Sequence, residues 1–204
     1  MRKIRFLRFI SISLIAICSL IFASYCVCFA KSVINYNQNT KIWEEYAHTG
    51  VINDQWDFSK LKFGFGDIGA NGCGAVSVYN ILTLDGKTAN MPEIIQKFDL
   101  FGENVFGIGG SRPSRVIKVL KEYGFNVTYS LDKNKFENIA ENSKYAIYVY
   151  FGLENFVPFG HYQLLYNFNG ETFSTLNISG NYTYDEITDI PHTFFTMMIG
   201  IETK

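Results

Sequence analysis

Asn71–Leu82, NGCGAVSVYNIL, decides how the rest of this 204-residue chain is read. Glycines at 64, 66, 69, 72 and 74 punctuate FGFGDIGANGCG, and the residues after Gly74 are apolar at helical spacing. The stretch therefore predicts a loop running into a buried helix, with Cys73 in the first turn. A helix N-terminus offers unpaired N–H groups and the positive end of the dipole, which favour a thiolate and an oxyanion formed beside it. Gly72 and Gly74 keep the backbone bare around the thiol, which reads as a loop that lets a substrate main chain approach. Asn71 and the backbone N–H of Cys73 are the oxyanion donors within reach.

Cysteine usage sharpens that reading. The chain opens MRKIRFLRFISISLIAICSLIFASYCVCFA, with Arg2, Lys3, Arg5 and Arg8 ahead of an apolar run that ends in CFA before Lys31. That order predicts a signal peptide over 1–30, cleaved after Ala30. Residues 9–30 are also long enough to cross a bilayer, so an uncleaved signal anchor is the alternative, and in that case the chain's membrane contact. Either way residues 31–204 are expected outside, secreted or otherwise extracytoplasmic. Cys18, Cys26 and Cys28 lie in the leader, so Cys73 is the one thiol of the exported part and no internal disulfide can form. A lone exported thiol is buried and inert, a bridge to a second chain, or kept for its chemistry.

Composition excludes other classes. Residues 31–204 carry 14 Lys and Arg against 19 Asp and Glu, a net charge of −5, without the basic stripe of a nucleic-acid binder. No CxxC, HExxH or phosphate-binding glycine loop is present, so no metal and no cofactor is expected. At 48% hydrophobic residues the chain supports a single domain, expected as a monomer.

Along the chain, KSVINYNQN (31–39) reads as a linker and TKIWEEYAHTG (40–50) as a short helix capped by Thr40 and stopped by Gly50. The domain proper is expected over 51–204. MPEIIQKF predicts a helix entered through Asn90, and RPSRVIKVLKEYG another, capped by Ser111 or Ser114 and ended at Gly124. FNVTYSL reads as a strand, DKNKFENIAENS as a weaker helix, and GIGGSRPS as a plain connection rather than a lid. YAIYVYF, HYQLLYNF, ETFSTLN and TFFTMMIGI then read as strands, with Asn169-Gly170 marking a hairpin. Helices followed by an antiparallel sheet make an α+β domain.

A cysteine nucleophile needs a base and a group that orients the base. Of the three histidines, His48 and His192 fall in polar surroundings and read as surface residues. His161 opens the strand HYQLLYNF, whose return strand ends at Asn177. A three-residue loop, Phe168–Gly170, with Gly170 left-handed, would pair Asn167 with Glu171 and His161 with Asn177, placing the amide beside the imidazole. A two-residue turn over Asn169-Gly170 would instead pair Tyr162 with Asn177.

NGCGAVSVYNIL, RPSRVIKVLKEYGFNVTY, YAIYVYF and GHYQLLYNFNGETFSTLN together resemble, in order, the segments of papain-like cysteine peptidases of the C39-like group, which includes bacterial domains that cleave double-glycine leader peptides. The resemblance runs from about Gly64 to Ile201. It implies a papain-like cysteine proteinase fold, with the nucleophile helix packed on a C-terminal antiparallel sheet, and a peptide or protein substrate. It also implies Cys73 as nucleophile, His161 as general base and acid, and Asn177 as the orienting residue, where many relatives have Asp. Where the family places an oxyanion glutamine, six residues before the cysteine, this chain has Asp67, whose ionised carboxylate would repel an oxyanion. The function implied is a peptidase or amidase working through a thioester; the alternative is an inactive papain-like domain that binds a peptide or surface partner.

Overall fold

The computed structural model describes residues 2–46, 50–99, 110–177 and 180–203. The chain opens with α1, Arg2–Tyr46, one unbroken helix. The linker expected over 31–39 is thus helical, and Thr40 does not cap a new helix: its hydroxyl donates to the carbonyl of Tyr36 within α1 (2.9 Å). What holds this polar segment is side-chain bonding to the domain. The Asn35 amide donates to the Gly64 carbonyl (2.7 Å), and Asn39 pairs with both the N–H and the C=O of Lys62 (2.7 and 2.8 Å). Both asparagines are fully buried.

A short hairpin follows, β1 (Lys62–Phe63) and β2 (Gly66–Asp67), whose turn uses Gly64 at φ +56°. Then come α2 (Ile68–Asn71) and α3 (Cys73–Leu84). Every residue of α3 from Cys73 to Leu82 is buried, because helices pack around it and the sheet lies beneath. One polar member, Asn80, is satisfied by the backbone N–H and C=O of Ile52 (2.7 and 2.9 Å), which ties the segment leading to Gln55 onto α3.

The helices α4 (Met91–Phe98) and α5 (Pro113–Glu122) occupy the spans their patterns predict. Asn90 caps α4 as expected, accepting from Glu93 N–H (3.3 Å). Neither serine caps α5: the cap position is Arg112, without a side-chain bond, and Pro113 supplies the preset φ and missing N–H that suit a first helical position. Gly124, at φ +87°, ends the helix. Of the GIGGSRPS connection, residues 107–109 lie outside the described residues.

The second half is β3 (Asn126–Ser130), α6 (Phe136–Glu141), β4 (Tyr145–Glu154), β5 (Val157–Tyr166), β6 (Thr172–Leu176), β7 (Gly180–Thr183), α7 (Tyr184–Thr188) and β8 (Thr193–Glu202). The strands form one antiparallel sheet in the order β3-β8-β4-β5-β6-β7. Tyr162, Leu164, Ile147 and Val149 pack with α3–α5 on one face, while Tyr148, Leu165 and Met198 pack with Phe136 of α6 and Ile187 of α7 on the other. Helices first, with the Cys73 helix packed on a C-terminal antiparallel sheet, is the α+β arrangement expected.

Both hairpins around β5 correct the sequence reading. VPFG (157–160) belongs to β5, which starts at Val157 and meets β4 through a two-residue turn at Asn155 and Phe156, both left-handed (φ 49° and 66°). The β5–β6 register is Leu164↔Leu176, Leu165↔Thr175 and Tyr166↔Ser174, so neither pairing expected for Asn177 forms. The reason is Asn169, whose side-chain oxygen accepts from the N–H groups of both Glu171 and Thr172 (3.0 and 2.8 Å) and widens the loop. Gly170 is left-handed as expected, at φ +96°.

Candidate active site

The β5–β6 ladder stops at Leu164↔Leu176. Two residues further along that edge, Tyr162, paired with Val149 of β4, meets α3 on its other side: its carbonyl accepts the Ser77 hydroxyl (3.3 Å), and its backbone N–H acts on the Cys73 thiol. The start of α3 is therefore seated against β5 beside His161. The Tyr162 phenol anchors the next loop, donating to the Ser111 carbonyl (2.7 Å).

Glycine at 72 and 74 has a packing explanation beside the substrate-approach role read from the sequence. A Cβ on Gly72 would lie 2.5–2.8 Å from Ile68, backbone included, and one on Gly74 would lie 2.8 Å from Ser111. The bare backbone lets α2, α3 and the Ser111 loop close on each other.

Beside the helix start is a cleft of about 390 Å³, walled by Gln55, Gly69, Tyr150, Gly160, His161 and Asn177 among others. His161 and Asn177 thus share one cleft although they are not cross-strand partners. Asn177 leaves β6 in a left-handed conformation (φ 70°) and gives both ends of its amide to Gln55: Nδ2 donates to the Gln55 side-chain oxygen (2.6 Å), and Oδ1 accepts from the Gln55 N–H (3.2 Å). Gln55 in turn donates through Nε2 to the carbonyl of Gly69 (2.5 Å), four residues before the cysteine. Gln55 is the site residue that sequence reading passed over. It stands 18 residues before Cys73 along the chain, and the Asn80–Ile52 bonds together with its own bonds to Gly69 and Asn177 bring its segment to the site.

The other named positions fall around the cleft rather than in its wall. Cys73 is not among the residues lining it and is 7% exposed, and Asn71 ends α2 half-buried. At that depth the thiol is not presented to a second chain for a disulfide. Asp67 caps α2, its carboxylate accepting from the Ala70 N–H (2.9 Å), so its charge is directed into a helix start. His192 is exposed and left-handed (φ 61°), with its carbonyl accepting from Leu153, and His48 lies outside the described residues.

Electrostatics follow burial. Desolvation pushes the Cys73 thiol up to about 11, against the opposing pull of the backbone N–H groups of Gly74, Tyr162 and Cys73 itself. Desolvation also lowers His161 to about 4, and its Nε2 is buried without a hydrogen-bond partner. The ring of Tyr150 stands 6.1 Å from that of His161, and burial raises its phenol to about 12. At neutral pH the site therefore holds a protonated thiol and a neutral imidazole, not the thiolate expected from the helix dipole alone.

No family model and no curated protein sequence matches the chain. Among solved structures it is similar to the peptidase domain of Streptococcus ComA, a bi-functional ABC transporter involved in quorum sensing. That likeness has a TM-score of 0.46 at 9% identity, over 65% of this chain and 91% of the other. The same domain of Streptococcus mutans ComA, in complex with a small-molecule inhibitor, gives 0.39 at 9% identity, over 65% and 92%. At this identity and score the likeness assigns no residue a role.

Proposed function

We propose that the domain is a papain-like cysteine peptidase or amidase acting on a peptide or protein outside the cytoplasm. The observation that carries the reading is the seating of the Cys73 helix start against the strand of His161, beside a cleft that His161 lines, with the His161 Nε2 buried and unpartnered. A neutral imidazole is a base. As the Cys73 sulfur attacks the amide carbonyl, the thiol proton passes to His161, and the oxyanion forms near the Cys73 N–H and Asn71. Collapse breaks the C–N bond, with His161 returning the proton to the leaving amine and an acyl thioester left on Cys73. Water, deprotonated by His161, then attacks the thioester; the acid departs and the thiol regains its proton. Asn177, whose amide is bonded at both ends to Gln55, lines the same cleft as His161.

Cys73→Ala is expected to abolish release of amine from a panel of peptides while leaving the fold intact, at a stability cost of about 1 kcal/mol for the buried sulfur removed. Hydrolysis that survives the change would remove Cys73 from the mechanism. A second reading, a binding domain without turnover, is favoured by the depth of the thiol and its raised pKa. It is distinguished by peptide binding that persists in both native and Cys73→Ala protein with no product in either.

A further inference from the structure

α1 is long and apolar enough over its first part to cross a membrane, and every large apolar side chain from Ile10 to Phe29 is exposed. Water does not tolerate such a surface on an isolated helix; acyl chains do. The stretch from Phe9 to Ala30 is about 33 Å of helix, close to the thickness of a hydrocarbon core. The helix then continues without a break into the segment clasped by the domain, where Ser32, Asn35 and Asn39 are buried.

The β1–β2 turn lies along the same helix. Phe65, at its tip and half exposed, closes a groove with Leu20, Ala23, Ser24, Val27 and Cys28. Lys31 places its ammonium 5.9 Å from the Phe65 ring centre. A lysine at the domain end of an apolar span belongs at headgroup level, and Ser24 is seven residues below it, about 10 Å along the axis. The turn cannot swing away freely, because Asn35 and Asn39 bond to Gly64 and Lys62 just ahead of Phe65.

We propose that α1 stays attached as a membrane span and that the β1–β2 turn is a second membrane contact, with Phe65 inserted among acyl chains just beneath the headgroups. The domain is then held against the bilayer at two points in a fixed orientation rather than tethered by one. The groove's occupant is lipid: its helical wall is continuous with the span, and its apolar contacts lie below the level of Lys31.

The test is a Phe65→Trp variant of the full chain, reconstituted in phosphatidylcholine–phosphatidylglycerol vesicles, with the emission of native Trp43 and Trp56 subtracted using the parent protein. The chain is expected to float with the vesicles. The added tryptophan should lose most of its emission to lipids brominated near the top of the acyl chain and resist aqueous iodide. Failure to float, or a membrane-fraction polypeptide beginning after Ala30, would overturn the span. Flotation with iodide quenching, or with shielding from both quenchers as in a contact between two copies, would overturn the insertion of Phe65 while leaving the span in place.

Discussion

Burial governs both reactive side chains, and it makes the site's behaviour with pH specific. His161 sits near 4 in the folded protein against about 6.5 in an unfolded chain. The unfolded state therefore binds the proton first as pH falls, and stability is lost from about 6.5 down to 4, by about 3 kcal/mol. Urea unfolding across that range is expected to show the loss, and His161→Gln to flatten it; a slope that survives the substitution would place the buried titration elsewhere. Asp67 calls for a different experiment. As the cap of α2 it contributes about 1 kcal/mol, so Asp67→Ala should lower stability by that amount while Asp67→Asn, which can still accept from Ala70, should not. Both variants should keep their catalytic rate, since the carboxylate faces a helix start and not the cleft. A changed rate in Asp67→Asn at unchanged stability would tie the carboxylate to the chemistry.

Elements form where local pattern and tertiary partners agree, and the departures have identifiable causes. α4 and α5 were readable because their apolar residues recur on one face and their first turns carry Pro92 and Pro113. The helical segment over 31–39 was not, because Asn35 and Asn39 look like linker residues until the backbone of Gly64 and Lys62 is brought to them. α7 carries a capping box, Thr183 with Glu186, a helix-start signal that TYDEIT carries on its face and that the sequence reading above leaves unassigned. The β5–β6 register depended on which N–H groups the Asn169 side chain would accept, which no turn rule specifies. The Asn39 clasp gives this scale its test. Asn39→Ala leaves the N–H and C=O of Lys62 without that partner, at a cost of about 1–3 kcal/mol. Faster hydrogen exchange at the Lys62 amide, with exchange in β4 unchanged, is the expected signature; unaltered exchange at Lys62 would mean that the clasp does not hold the hairpin.

At the scale of the whole molecule, the layering followed from composition: helical periodicities come first and β-branched and aromatic runs afterwards, so the helices had one sheet on which to pack. The region of the site was legible too, because a glycine-flanked cysteine at a helix start and a histidine on the first long hairpin pointed to each other. Hidden from the sequence were the depth of the thiol and the part played by Gln55, both set by how α3, β5 and the Ile52–Phe58 segment close together. The central claim is that Cys73 and His161 work as a pair, and carboxamidomethylation of the native chain by iodoacetamide tests it most directly. The adduct on Cys73 must be separated by peptide mapping from those on the α1 thiols Cys18, Cys26 and Cys28. The account predicts modification of Cys73 in the folded protein, a rate that climbs with pH toward an inflection near 11, and a loss of about tenfold or more at neutral pH in His161→Ala, which lacks the base. A Cys73 rate indifferent to His161, or a thiol that reacts only after unfolding, would contradict it.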